Sequence, residues 1–417
     1  MTVKKYDSGL SVLIEENRAL RSVAVGIMVG TGSGYETPEN NGISHFIEHM
    51  QFKGTEKRSA RQIAGEFDAA GAVFNAYTSK EYTCFYFKSI DEKTVECFDV
   101  LSDLFLHSAF EKAELDRERS VILEEINMSK DEPDGVCYDV LFGTMYGGSL
   151  GMEILGSKSN VERFGKTDIL GYKDKHYLPS NTTVAFVGNI SAAEALALVD
   201  DKLGELAAAR FVSPVKLGRQ DFRSGYGEYI KDFEQSEMSI AFPALDIRDD
   251  RVPVLSALDC IAGSGMSSRM FQRLREQLGL VYSVYTAPFV GSVCGAMSVC
   301  VNASPANVEK SIVAVREELN KLATDGVTEA EVEKAKTQLK VNAVFGKENP
   351  MTILNTLMRR HTLCGEVYDV DKLLARIDKI TVSDVNALAK EIFTQKPAIA
   401  YAGKKQRYNI ESVYYNV

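Results

Sequence analysis

The stretch His45-Phe-Ile-Glu48-His49 decides how the fold and chemistry of this 417-residue chain are interpreted. On a helix with about 100° per residue, Glu48 lies roughly 60° to one side of His45 and His49 roughly 40° to the other, so the three side chains share one face. Two neutral imidazoles are frequent zinc ligands, and a carboxylate beside them can act as general base on a metal-bound water. The stretch therefore predicts a helix that holds a metal ion.

Coincidence is a minor alternative for this pattern. At ordinary residue frequencies it arises by chance in on the order of one chain in a hundred of this length. The chain has only five histidines, and two of them stand one helical turn apart. The placement of two of five histidines one turn apart favours a metal site over coincidence.

Length and composition are those of a globular protein with more than one domain. A chain of 417 residues is long for one hydrophobic core, which predicts two or three domains. Hydrophobic residues make up 45% and charged residues 25%. The 48 Lys and Arg against 58 Asp and Glu give a net charge of −10, which offers no support for nucleic-acid binding. An acidic excess can favour basic substrates, but it more often only keeps a protein soluble.

The cysteines and the amino-terminal sequence predict a cytoplasmic location. The seven cysteines are odd in number and scattered, mostly in apolar stretches, which is typical of reduced thiols. No Cys-x-x-Cys pair offers a thiolate zinc site. The first residues lack the apolar core of a signal peptide, and no apolar run is long enough to span a membrane. We therefore expect no membrane partner.

Both halves of the chain follow a similar order of predicted elements. In the first half, alternation predicts a hairpin at 11–15 and 22–30, further strands at 73–78, 82–88 and 181–188, and helices at 60–70, 92–108 and 111–130. In the second half, a helix at 265–275 precedes strands at 282–286 and 296–301. The repetition predicts an α+β fold of two similar domains, each a mainly antiparallel sheet packed with helices. We place the domains at 1–215 and 216–417, because the chain is irregular and polar between them.

The third ligand of a catalytic zinc site has to come from another part of the chain. Glu118 and Glu125 are seven residues apart on the predicted helix 111–130 and share a face with Val121 and Ile122. A carboxylate in an apolar stripe is costly unless it is paired or binds a metal. Glu125 is thus a candidate ligand and Glu118 a candidate supporting partner. Composition alone leaves open that these acids only solvate a surface helix.

Three stretches of the chain closely resemble the inverted-motif zinc peptidases, the family that includes pitrilysin, insulin-degrading enzyme and mitochondrial processing peptidase. They begin at His45, Asn75 and Glu118, and the 75 residues between His49 and Glu125 are similar to the family's spacing. The resemblance implies one Zn²⁺ per chain held by His45, His49 and Glu125. It also implies Glu48 as general base and Glu118 as a supporting residue needed for full activity.

The resemblance further implies where a peptide would bind. The strand around Asn75 and Ala76 resembles the edge that receives an extended substrate through main-chain hydrogen bonds. Without the resemblance, an ordinary half-buried strand is the favoured interpretation. Arg275 and Tyr282 resemble the pair that the second domain offers to the substrate near the scissile bond. Arg273 competes for the arginine role, and a solvated helix charge is the alternative for either arginine.

The function implied is that of a zinc-dependent endopeptidase in which two domains form half of a clam-shell. Family members of this length pair to enclose a chamber, so we expect a homodimer that cleaves peptides or unfolded segments. A non-catalytic substrate-binding or assembly subunit of the same fold is the alternative, and the intact His45, Glu48, His49 and Glu125 speak against it. Hydrolysis of another amide by the same centre is a weaker alternative.

Overall fold

The computed structural model describes residues 1–416, so the predicted domain end at residue 417 lies just outside them. In chain order the strands are β1 (Thr2–Lys5), β2 (Ser11–Glu16), β3 (Ser22–Val29), β4 (Val73–Thr78), β5 (Thr83–Ile90), β6 (Thr182–Gly188), β7 (Gly225–Ile230), β8 (Ser236–Pro243), β9 (Val281–Val290), β10 (Gly295–Ala303) and β11 (Ala398–Gly403).

Helices surround these strands in both halves of the chain. The α-helices are α1 (Ile43–Gln51), α2 (Ala60–Ala69), α3 (Thr94–His107), α4 (Lys112–Ser129), α5 (Pro133–Met145), α6 (Lys158–Arg163), α7 (Lys166–His176), α8 (Ala192–Lys202), α9 (Gly204–Ala208), α10 (Val252–Ala262), α11 (Val308–Thr324), α12 (Glu329–Gly346), α13 (Pro350–Cys364), α14 (Val370–Asp378), α15 (Val382–Phe393) and α16 (Ile410–Tyr415). A π-helical segment spans Phe271–Gln277.

The chain forms two compact units, and each contains segments from both halves of the sequence. The first unit comprises Met1–Ile126, Met152–Leu217 and Gly346–Tyr368. The second comprises Asn127–Gly151, Gly218–Phe345 and the residues from Asp369 onward. The sequence did not predict this exchange of segments, and the domain division at residue 215 stays a prediction.

The two units share one sheet topology. The first has strand order β1-β2-β6-β3-β5-β4 and the second β7-β11-β8-β10-β9. Apart from β1 the orders correspond strand for strand. Strand β2 pairs in parallel with β6, and β7 pairs in parallel with β11, whereas the other neighbouring strands are antiparallel. The predicted α+β class, with two similar and mainly antiparallel domains, is confirmed.

The predicted hairpin between 11–15 and 22–30 is wrong, although both strands exist. Strand β6 lies between β2 and β3, where Ala185 is opposite Leu13 on one side and Gly26 on the other. All seven residues of β6 are buried. A strand with no exposed residue is most stable at the centre of a sheet, with a partner on each side, and this separates β2 from β3.

Helices cover both faces of the first sheet. The larger core contains alternate residues of β2, β3, β5 and β6 packed against α1 to α4 and neighbouring helices. The opposite face packs against α13 through the buried side chains Leu354, Leu357 and Met358. In the second unit, α5 packs on β7, β8 and β11 in the corresponding way.

The α-helix predicted over 265–275 is wrong in its bounds. Residues 263–268 form turns, and Gly265 has a φ of +120°, which no helical residue adopts. The regular part is the π-helical segment, a conformation that often occurs at functional sites.

The seven cysteines are all free, and five of them are buried, as expected for reduced thiols. Within residues 1–416, no helix has both the length and the apolar character that crossing a membrane requires.

Candidate metal centre

Helix α1 presents its apolar side to the core and its metal-binding side away from it. The buried apolar residues recur at helical spacing, at Ile43, Phe46, Ile47 and Met50. Their Cβ atoms point to the opposite side of the helix from those of the motif residues. Core packing on one side therefore fixes the direction of the imidazoles on the other.

The start of α1 is held by a carboxylate and a glycine from the segment that precedes it. Glu36 is 3% exposed and accepts hydrogen bonds from the backbone N–H groups of Gly42 (2.7 Å) and Ser44 (2.8 Å). Gly42 has a φ of +98°, and a Cβ there would lie 2.8 Å from the Cα of Gly156. Only glycine fits this backbone position.

Three ligand atoms converge beside α1. The Nε2 atoms of His45 and His49 are 3.1 Å apart. Oε2 of Glu125, from α4, lies 3.8 Å from the first and 3.5 Å from the second. Within residues 1–416 this is the one group of three or more His, Cys, Asp or Glu side chains close enough to hold a metal ion.

The spacing of these atoms suits zinc. Bonds of about 2.0–2.1 Å with tetrahedral angles put ligand atoms about 3.3 Å apart, close to the three distances here. Two imidazoles and one carboxylate leave a fourth position open, which is the donor set of catalytic rather than structural zinc. His45 Nδ1 is buried and finds no hydrogen-bond acceptor among the described residues. Because the two Nε2 atoms and Oε2 of Glu125 are the atoms that converge, the donor set fits a zinc ion held by these three atoms.

The two histidines sit in different electrostatic surroundings. Burial, followed by the neighbouring charge of His49, lowers the pKa of His45 to about 3, so this imidazole is neutral. Burial acts in the same direction on His49, but the hydrogen bond with Glu118 and the charges of Glu125 and Glu48 outweigh it and raise its pKa. The acidic groups around His49 thus favour a positive charge beside the two imidazoles.

Glu118 orients His49 from behind. Its Oε1 lies 2.8 Å from His49 Nδ1, and its Oε2 pairs with Lys53 Nζ at 2.7 Å. Burial opposes ionisation of Glu118, but the hydrogen bonds with His49 and Lys53 prevail and lower its pKa. The ionised carboxylate accepts a hydrogen bond from Nδ1–H of His49. This tautomer leaves the lone pair of Nε2 free to bind a metal. Ile122 on the same face is buried, whereas Val121 is 46% exposed, so the predicted apolar stripe is narrower than expected.

The carboxylate of Glu48 contacts the end of strand β4. Its Oε2 accepts a hydrogen bond of 2.6 Å from Thr78 Oγ1. Burial raises the pKa of Glu48, while the Thr78 hydrogen bond and the charge of His49 act against that rise. A carboxylate whose pKa is raised takes up a proton more readily, which suits a general base beside a metal position.

The strand that carries Thr78 is an edge strand. β4 pairs with β5 alone and is the last strand of its sheet. The backbone N–H of Ala76 donates to the side chain of its neighbour Asn75 at 2.8 Å. A main-chain donor bonded to its own neighbour's side chain can be taken over by an added strand.

The two predicted substrate residues of the second half lie in the second unit. Arg275 is exposed, and its guanidinium stands 4.9 Å from the ring centre of Phe271. Tyr282 is 76% exposed at the start of β9. The competitor Arg273 lies 3.8 Å from a carboxylate oxygen of Glu318, so it already has an internal partner. These surroundings favour Arg275 for the substrate role, which stays a prediction.

Sequence reasoning missed two residues of this site. Lys53 follows His49 by four positions, a spacing that could have suggested its pairing with the same carboxylate. Thr78 gave no such signal, because its contact with Glu48 depends on how β4 packs against α1.

A His-x-x-Glu-His helix beside a glutamate from a second helix, in a duplicated α+β fold, is the arrangement of an inverted-motif metallopeptidase. Residues 11–158 match the model of the insulinase family, peptidase family M16, and residues 163–339 match that of the peptidase M16 inactive domain. The chain belongs to peptidase family M16. The ligand group His45, His49 and Glu125 lies within the part of the chain that the first model matches, and outside the part matched by the inactive-domain model.

Relatives of similar length have similar sequences. The uncharacterized zinc protease YmxG of Bacillus subtilis is 35% identical over 95% of this chain and 97% of its own. An uncharacterized zinc protease of Streptomyces coelicolor is 35% identical over 95% of this chain and 88% of its own. The family and these names imply zinc as the metal.

Solved structures share the fold. A protease from Helicobacter pylori superimposes with a TM-score of 0.88 at 19% identity, over 96% of this chain and 99% of its own. A peptidase M16 inactive domain structure from Pseudomonas fluorescens gives 0.90 at 19% identity, over 98% of each chain.

Proposed function

We propose that this chain is a zinc-dependent endopeptidase with one zinc ion per chain, held by His45, His49 and Glu125. The observation that carries the proposal is the triangle of ligand atoms with sides of 3.1, 3.5 and 3.8 Å. It lies in a chain whose relatives are named zinc proteases. When bound, zinc supplies a Lewis acid for the scissile carbonyl and makes water a better nucleophile.

The side chains divide the remaining tasks. Glu48 takes a proton from the attacking water at a carboxylate oxygen and returns it to the leaving amine. Thr78 keeps that carboxylate oriented through its 2.6 Å hydrogen bond. Glu118 holds His49 in the tautomer that presents Nε2. A peptide added to the edge of β4 at Asn75 and Ala76 would extend toward Thr78, at the end of the same strand.

Replacing the base while keeping the ligands tests this function. Glu48→Gln is expected to abolish cleavage of a peptide library, measured by mass spectrometry with and without chelator, while bound zinc remains at one ion per chain. The matched control Glu56→Gln changes an exposed carboxylate near the same helix and is expected to cleave normally. Unchanged turnover in Glu48→Gln would refute the proposed mechanism.

The same experiment separates the peptidase from the non-catalytic alternative. A wild-type chain that binds zinc but cleaves no peptide in the library would favour a substrate-binding or assembly subunit. A chain that binds no zinc and gains no activity when zinc is added would refute the metal site itself.

We further propose that the substrate is a peptide or an unfolded segment, cleaved within a chamber formed by a homodimer in the cytoplasm. The presence of both the metal ligands and the Arg275 and Tyr282 pair in one chain supports two identical subunits over two specialised ones. Light scattering coupled to size-exclusion chromatography checks the pairing. A monomer that cleaves peptides at full rate would contradict the chamber.

A further inference from the structure

The second unit contains a cavity that shares no residue with the proposed metal centre. This cavity of about 200 Å³ lies between helix α5 and strands β8, β9 and β10. Its strand residues alternate with those of the unit's hydrophobic core: Ser239 and Ala241 line the cavity, whereas Met238 and Ile240 are in the core. The cavity therefore occupies the sheet face that α5 covers.

Most of the cavity wall is apolar and aromatic. Helix α5 contributes Leu141, Phe142 and Met145, and strand β9 contributes Pro288 and Phe289. Phe142 and Phe289 meet edge to face, with ring centres 5.1 Å apart. Such a wall is suited to an aromatic or branched alkyl group.

The polar lining of the cavity is acidic. Glu237 is 4% exposed and lines the cavity together with the hydroxyls of Ser239 and Ser298. Asp134, which is exposed, adds a second carboxylate. The lining contains no Lys, Arg or His.

Glu237 lacks the partners that other buried carboxylates of this chain possess. It accepts one hydrogen bond, from Asn302 Nδ2 at 3.0 Å, and within residues 1–416 no basic side chain pairs with it. Glu36 in the first unit accepts from two backbone N–H groups and Asn41, and Glu318 pairs with Lys321 at 2.6 Å. The ionised form of a buried carboxyl with one neutral donor is costly unless a cation joins it.

We propose that this cavity binds a primary amine that carries an aromatic or branched alkyl group, with its ammonium against Glu237. The size agrees, because an apolar cavity of about 150 Å³ is enough for benzene. The three hydrogens of an ammonium match one carboxylate oxygen and the lone pairs of the serine hydroxyls. The carboxylates of Glu237 and Asp134, with no basic side chain in the lining, repel carboxylate and phosphate ligands.

The amine could be a free metabolite or the first residue of a peptide, and the test distinguishes these sources. Calorimetric titration of the full chain uses 2-phenylethylamine, phenylalaninamide and the matched neutral compound 2-phenylethanol. Burial raises the pKa of Glu237 to about 7, so the titration is run at pH 8, where the carboxylate and the amine are both charged.

The wild-type chain is expected to bind 2-phenylethylamine at least about tenfold more tightly than 2-phenylethanol, as a charge-assisted hydrogen bond implies. Glu237→Gln should remove that difference, and the exposed control Glu234→Gln should preserve it. Binding of phenylalaninamide with the same dependence on Glu237 assigns the ligand to peptide amino termini, whereas binding of 2-phenylethylamine alone assigns it to free amines.

Equal affinities for the amine and the alcohol in the wild-type chain would overturn the proposal, and this comparison requires no variant. Absence of saturable amine binding up to about 10 mM would overturn it as well. Neither result bears on the peptidase, because the titration needs no zinc and measures no cleavage.

Discussion

Thr78 Oγ1 donates a hydrogen bond of 2.6 Å to Oε2 of Glu48. The donor ends the edge strand β4, and the acceptor is the proposed general base on α1. One hydrogen bond thus connects the strand proposed to receive the peptide with the group proposed to move the proton. The contact fixes the orientation of the Glu48 carboxylate relative to the end of the strand.

Removing the Thr78 hydroxyl is expected to slow cleavage without releasing the metal. A hydrogen bond to a charged group contributes about 1.5–3 kcal/mol, so Thr78→Val should lower kcat/KM about tenfold or more. Thr78→Ser retains the hydroxyl and is the matched control. Steady-state cleavage of one peptide, with metal content measured on the same samples, checks this. Loss in Thr78→Ser with normal activity in Thr78→Val would instead indicate that the methyl group, and not the hydroxyl, is needed.

Removing the charge behind His49 is expected to weaken zinc binding. Partners of metal-bound histidines typically change metal affinity about 10–100-fold when they are mutated, and Glu118→Gln should fall in that range. Competition with a chromophoric chelator measures the affinity. Glu111→Gln, an exposed carboxylate just before the same helix, should bind zinc as the wild type does. An unchanged zinc affinity in Glu118→Gln would mean that Glu118 pairs with Lys53 but does not support the metal site.

The carboxylate at the start of α1 is expected to matter for stability. In Glu36→Gln, one of the two carboxylate oxygens becomes an amide nitrogen, which cannot accept from Gly42 or Ser44. One buried N–H then loses its partner, at a cost of about 1–3 kcal/mol. Urea unfolding of the metal-free protein measures the loss, and Glu39→Gln in the same loop is the exposed control. Equal midpoints for both variants would contradict this account of the cap.

The metal-binding face was predictable because it depends on local geometry. Glu48 and His49 follow His45 by three and four positions, and the helical period alone places all three on one side. Glu125 required the resemblance to relatives, since spacing on α4 allowed a solvated surface as well. In the structure its ligand oxygen lies within 3.8 Å of both imidazoles, which the sequence could suggest but not measure.

Long-range pairing was the part that the sequence did not reveal. Strands β2 and β3 are neighbours in sequence, but β6 lies between them about 160 residues later, so local alternation predicted the wrong partner. Helix α5 comes from the first half of the sequence but belongs to the second unit, and α13 comes from the second half but belongs to the first unit. Local sequence did not reveal these assignments either. Each helix has an ordinary apolar side, and nothing local indicates which sheet it will cover.

The last prediction concerns the buried carboxylate of the second unit. Burial, with the charge of Asp134 adding to it, raises the pKa of Glu237 to about 7, above its value of 4.5 in the unfolded chain. The folded state therefore holds this proton more tightly, and the stability it contributes is complete below about pH 4.5 and lost as the pH rises to about 7.

Glu237→Gln remains neutral and can still accept from Asn302, so it should match the wild type near pH 4.5 and be more stable at pH 8. The expected difference is at most about 3 kcal/mol. Urea midpoints of both proteins between pH 4.5 and 8, with Glu234→Gln as the exposed control, check this. A difference that stays constant over that range would mean that folding does not raise the pKa of Glu237.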